Sequence, residues 1–201
     1  TTTTATTAPT TTTTTIAAPE PIPPDPPEGM ELVWSDEFDE GVAPNPEVWS
    51  YDLGAKGWGN QELQEYTDDL ENARVENGNL VITARETVPG TSAAAFSSAR
   101  LRTQDKVMFK YGTIEARIKV PNIARGLWPA FWTLGNNFSE VGWPNCGELD
   151  ILEMGWRDAV SDGNANRWVS SAAHWEDANR YAYFGRTYDP SLIESFDFYE
   201  D

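Results

Sequence analysis

A chain of 201 residues with 39% apolar and 12% aromatic content can bury one full core but is short for two independent domains. Its 14 basic against 32 acidic residues leave a net charge of −18, which argues against nucleic acid or an anionic membrane as partner, since both select Lys and Arg. A single cysteine, Cys146, excludes an internal disulfide, and no apolar run approaches the roughly 20 residues of a membrane span. A monomer with a neutral, unsulfated partner is expected. Nine tryptophans are more than a core alone usually holds, and sugar rings stack well on exposed indoles.

Residues 1–15 are almost all Thr, and Pro19, Pro21, Pro23, Pro24, Pro26 and Pro27 follow, a composition that cannot build a core. Residues 1–28 therefore read as a disordered linker and residues 29–201 as one folded domain. A Thr/Pro stalk, O-glycosylated or bare, is normally a feature of secreted or surface proteins, so an extracellular or cell-surface location is expected. The N-terminus carries neither a Met nor a signal-peptide apolar segment, and the chain reads as a processed or excised piece.

From Met30 onward short alternating or apolar runs recur at 31–34, 80–83, 99–103, 112–120, 130–134, 148–153 and 169–174. Gly, Pro, Asn and Asp separate them, and no segment carries a long 3.6-residue stripe. An all-β, antiparallel two-sheet sandwich is the expected architecture. The chain ends at Tyr199, Glu200 and Asp201 just after a strand opening, so the domain is expected to be truncated at its C-terminus.

The segment GELDILEMG concentrates the chemistry. Side chains on a strand alternate, so Glu148 and Asp150 point one way while Leu149 and Ile151 are expected to point into the core. Glu153, five residues after Glu148, faces the wrong side of a regular strand. It rejoins the other acids only if a β-bulge around Ile151 and Leu152 absorbs one extra residue. With that bulge the two Glu backbones are roughly 13 Å apart, and inward-leaning side chains bring the carboxyls to roughly 5 to 5.5 Å, the spacing for retention of configuration. Glu148 then attacks the anomeric carbon and Glu153 protonates the leaving oxygen. Crowded negative charges raise one another's pKa, which keeps one acid protonated while another stays ionised, with Asp150 sharing a proton between them. The competing interpretation is a solvated acidic strand face.

In GLWPAFWTLG, Trp128 and Trp132 share a strand face with Gly126 and Ala130 and form a ledge on which a flat ring can settle. Arg100 and Arg102 share a face by period two and can bond sugar hydroxyls or orient an acid. His174 is the only histidine and is read as a substrate contact. Asp162, Asn164 and Asn166 have the spacing that opens a calcium loop, but Arg167 stands where Gly is needed, so no metal is assigned there.

The residues LVWSDEF at 32–38, GWGNQELQEYT at 57–67, NGNLVITA from Asn77, SARLRT at 98–103, YGTIEARIKVP at 111–121, GLWPAFWTLG at 126–135 and CGELDILEMG at 146–155 resemble the laminarinase branch of glycoside hydrolase family 16. The resemblance implies a concanavalin-like β-jelly roll and double-displacement hydrolysis of a β-1,3-glucan, with mixed β-1,3-1,4 linkages tolerated. It assigns Glu148 as nucleophile, Glu153 as acid/base and Asp150 as the helper between them, and it places Asn60, Arg100, Trp128, Trp132 and His174 along the glucan cleft. Catalysis needs no cofactor. A structural calcium is implied near the first strand and near Gly78, completed by an acid close to the C-terminus that this chain lacks. The longer Asp-to-Glu spacing separates the laminarinase branch from lichenases and xyloglucan enzymes. Two alternatives stand beside it: an agarase-type galactanase on the same scaffold, and a non-catalytic β-glucan-binding domain.

Overall fold

The computed structural model describes residues 25–88, 96–123, 126–188 and 197–199; residues 1–24 of the expected 1–28 linker and the last two residues lie outside them. Eleven strands and two short helices follow one another among the described residues. Strands β1 (Ser50–Tyr51), β2 (Gln64–Tyr66), β3 (Ala73–Val75), β4 (Leu80–Ile82), β5 (Arg85–Glu86), β6 (Phe96–Ser98) and β7 (Leu101–Arg102) are short. They form a three-stranded sheet, β2-β6-β5, and two pairs, β1-β7 and β3-β4. The larger sheet runs β11-β10-β9-β8 and comprises β8 (Ala130–Leu134), β9 (Glu148–Glu153), β10 (Val169–Asp177) and β11 (Arg180–Tyr188). Helix α1 (Phe138–Val141) lies between β8 and β9, and α2 (Arg157–Ser161) between β9 and β10.

Two turns fix this layout. Asn77 (φ 52°) and Gly78 (φ 69°) reverse the chain between β3 and β4, with Glu76 and Asn79 exchanging backbone hydrogen bonds of 2.9 and 3.1 Å around them. Both central residues have positive φ, the geometry that matches strand twist in a two-residue hairpin. Ala178 (φ 50°) and Asn179 (φ 60°) do the same between β10 and β11, whose nine-residue ladder aligns His174 with Tyr183.

Four expectations are corrected. The runs at 31–34 and 112–120 belong to no strand, because a strand exists only through a ladder partner and neither has one among the described residues. The 32–38 segment docks through rings instead: Trp34 lies 6.5 Å from Trp49 and 6.1 Å from Phe109, and Trp49 Nε1 donates to Asp36 at 2.7 Å. The pairing is not wholly antiparallel, since β2 and β6 run parallel. Finally, Leu149 and Ile151 are not core residues; they point away from the acids but stay 55% and 38% exposed. The buried cluster of Val120, Ile123, Met154 and Ala165 sits instead at the far end of β9, with Leu152, Val169 and Phe198 packed on it.

Candidate active site

The acids stand on β9, an inner strand of the four-stranded sheet, so both of its edges are hydrogen-bonded and its side chains are held in register. On β8, Leu134, Trp132 and Ala130 face Glu148, Asp150 and Glu153; on β10, His174, Ala172 and Ser170 face the same three acids. The partners advance by two residues each time, whereas β9 advances by two and then by three. The extra residue is a bulge at Ile151–Leu152, seen by both neighbours, and it brings Glu153 onto the face of Glu148 and Asp150. The bulge inferred from spacing is therefore present.

Gly135 makes the start of β9 possible. A Cβ there would lie 1.9 Å from the Cys146 carbonyl oxygen, and the Gly135 N–H donates to the Gly147 carbonyl at 2.9 Å. Any side chain at 135 would push β8 away from the strand that carries the acids.

Asp150 is 6% exposed and accepts from His174, whose Nε2 lies 2.9 Å from Asp150 Oδ2 and 3.9 Å from Glu148 Oε1. The other imidazole nitrogen, Nδ1, is 2.7 Å from the Tyr181 hydroxyl. His174 is thus tied to acids on one side and to a phenol on the other. Trp128 Nε1 donates to Glu153 Oε1 at 3.1 Å, and Trp143 donates to Glu148. Arg100 lies between two indoles, its Cζ 5.0 Å from the Trp58 ring centroid and 4.8 Å from that of Trp132, and its Nε is 3.1 Å from Asp52 Oδ2. Arg102 grips the other oxygen of Asp52 at 3.0 Å.

Burial pushes all three acids above the ordinary carboxylate range. For Glu148, desolvation comes first and the Asp150 charge second, while His174, Arg100 and the Trp143 hydrogen bond pull it back. For Asp150, desolvation raises and His174 lowers; for Glu153, desolvation and Asp150 raise while the Trp128 hydrogen bond lowers. Burial outranks the mutual repulsion of the crowded acids. Each of the three carboxyls therefore holds its proton more tightly than a free carboxyl does.

Asp150, Glu148, Glu153, His174, Trp128, Trp132 and Arg100 form one connected cluster of side chains. Asn60 is exposed in the loop that carries Trp58, and its side chain bonds Glu62 at 3.4 Å. Trp58, Trp143, Tyr181 and Asp52 were missed. Tyr181 was open to detection, since the alternation of RYAYFGRTY and the hairpin before it set its tyrosines against His174. Trp143 was not, for it lies in a loop whose path no periodicity records.

Ligand atoms of Glu148, Asp150 and His174 lie within 4.8 Å of one another. At the Gly78 turn the Asn77 carbonyl accepts from Asn79 Nδ2 at 2.7 Å and the Glu76 carboxylate is held by Arg74 at 2.6 Å.

Residues 20–148 match the family described as beta-glucan synthesis-associated protein SKN1/KRE6/Sbg1. A β-glucanase of Rhodothermus marinus is 47% identical over 141 residues, 68% of this chain and 48% of that protein. The laminarinase catalytic domain of Thermotoga maritima superimposes with a TM-score of 0.69 at 44% identity, covering 85% of this chain and 66% of that one. A Bacteroides ovatus mixed-linkage glucan enzyme of glycoside hydrolase family 16 gives 0.70 at 30% identity, covering 84% and 67%. The chain belongs to glycoside hydrolase family 16. Its fold is accordingly the all-β jelly roll, with β8 to β11 as the sheet that carries the acids. The family 16 chain described here spans 20 to 48% of the length of four curated relatives. Among its described residues no helix is long and apolar enough to cross a membrane.

Proposed function

We propose that this chain carries the centre of a retaining endo-glycosidase that cleaves internal β-1,3 bonds of a β-glucan and tolerates mixed β-1,3-1,4 linkages. The observation that carries the reading is the bulge, which puts Glu153 on the face of Glu148 and Asp150. Glu148, ionised, attacks the anomeric carbon; the bond to the leaving oxygen breaks as Glu153 gives that oxygen its proton. Glu153, now a carboxylate, takes a proton from water, and the hydroxide so formed releases the sugar from the Glu148 ester. Asp150 shares a proton with its neighbours between the two steps, and His174 fixes its position at 2.9 Å. Trp132, stacked on Arg100, and Trp128 offer rings for neutral sugars. Side chains alone supply the chemistry, so no cofactor is called for. The Thr/Pro-rich N-terminal composition and the net charge of −18 support an extracellular monomer acting on a neutral polymer.

Reducing ends released from laminarin by the full chain and by Glu148→Gln test the assignment. The variant is expected to lose at least about a thousandfold in kcat. Equal rates would refute catalysis, and glucan binding without turnover in both would identify a binding domain. Across laminarin, lichenan and agarose, preference for agarose would overturn the substrate.

A further inference from the structure

We propose that the Ser171 hydroxyl is a positioning group for Glu153, holding the bulge that turns this acid into the cleft. The inference rests on the reading of Glu153 as acid/base and deepens it. On the β8 side, consecutive residues Phe131 and Trp132 pair with Leu152 and Asp150, leaving Ile151 without a partner. On the β10 side, Ser170 pairs with Glu153 and Ala172 with Asp150, so Ser171 alone faces the extra residue. Its Oγ donates to the Ile151 carbonyl at 2.8 Å. Alanines occupy the next two positions of β10, and neither could make that bond.

The links around Ile151 are held by other means. Asp150 is buried against His174, while Leu152 and Met154 are fixed by the core cluster. Ile151 is the loose joint, its side chain 38% exposed. A bulge that loses its one side-chain bond can relax toward regular pairing, and a one-residue slip turns a strand's side chains to the opposite face. Partial relaxation would move Glu153 relative to the leaving oxygen while Glu148 and Asp150 stayed in register.

The test uses the full chain as wild type, Ser171→Ala and Ser171→Thr. Laminarin needs a proton from Glu153 for its leaving oxygen; a 2,4-dinitrophenyl β-laminaribioside does not. Ser171→Ala is expected to lower kcat/KM on laminarin about tenfold, because misplacing an acid by a fraction of an ångström is costly. On the aryl substrate the value is expected to stay within about twofold, and Ser171→Thr to restore laminarin cleavage. An equal loss on both substrates, or no loss on either, would overturn the inference. A second readout needs no turnover: the Trp128 indole N–H, 3.1 Å from Glu153 Oε1, has an NMR resonance that follows this carboxyl. It is expected to move in Ser171→Ala and stay put in Ser161→Ala, which removes a comparable hydroxyl-to-carbonyl bond on α2. If wild type cleaves neither substrate, the catalytic reading fails, while an unmoved indole resonance would still refute the role of Ser171.

Discussion

His174 shows how much one side chain can set. Its charge is among the influences that draw Glu148 and Asp150 downward against the burial that raises them. Replacing it by Gln keeps a hydrogen-bonding group beside Asp150 but removes that charge, so both pKa values rise further. Glu148 must be ionised to attack, and the acid limb of the pH profile of kcat/KM is therefore expected to move to higher pH. Glu153 feels His174 more weakly than it feels burial, Asp150, Trp128 or Glu148, so the basic limb should move less. The optimum narrows from its acid side. An acid limb that stayed in place, or moved to lower pH, would mean that His174 does not govern the nucleophile. A contrast comes from Asn72, which is buried and makes three side-chain bonds, to Thr67, the Thr83 carbonyl and Ser97. That residue serves the small sheets and has no part in the chemistry.

At the scale of elements, the β10–β11 hairpin decides whether Tyr181 meets His174. Its turn asks Ala178 to adopt φ 50°, a left-handed conformation that costs an L-residue with a Cβ about 1 kcal/mol. Ala178→Gly removes the cost, offset in part by the greater freedom of Gly in the unfolded chain. A net gain of about 0.5 kcal/mol in denaturant midpoint analysis is expected, and a loss of stability would show that the turn does not hold Ala178 at positive φ. The same hairpin explains what sequence could reveal. Runs 130–134 and 148–153 appear as strands with unchanged bounds, and 169–174 lengthens to 169–177, because alternation and nearby partners agree. Spacing alone located the bulge, since an offset of five from Glu148 to Glu153 on one face leaves one residue to absorb. Runs 31–34 and 112–120 carry the same apolar or alternating texture and form no strand, for such a pattern describes a face and not the partner that completes it. The parallel β2–β6 pair joins segments 32 residues apart at their first paired positions, Gln64 and Phe96, beyond the reach of any local signal. Trp143 and Trp58 enter the site from loops for the same reason.

For the whole molecule, the site opposes the fold that carries it. Three acids with raised pKa values share one half-buried cleft in a chain of net charge −18. A carboxyl whose folded pKa is raised binds its proton more tightly in the native state than in the unfolded chain. Below the ordinary carboxylate range, about pH 4, both states are protonated and the group is neutral toward stability. As pH rises from there through the raised value, the unfolded chain ionises first and the native state loses ground. At neutral pH the ionised centre therefore destabilises the molecule, which is the usual trade of stability for activity. Glu153→Gln keeps the shape and can still accept from Trp128, but has no charge to desolvate. The variant is expected to melt about 2 °C or more above wild type at pH 7, with the gap closing as pH falls toward 3. Calorimetry across that range distinguishes the cause. A gap that persisted at pH 3 would trace the gain to packing, and a variant less stable than wild type at pH 7 would mean that the Glu153 carboxylate is held by favourable contacts stronger than its desolvation.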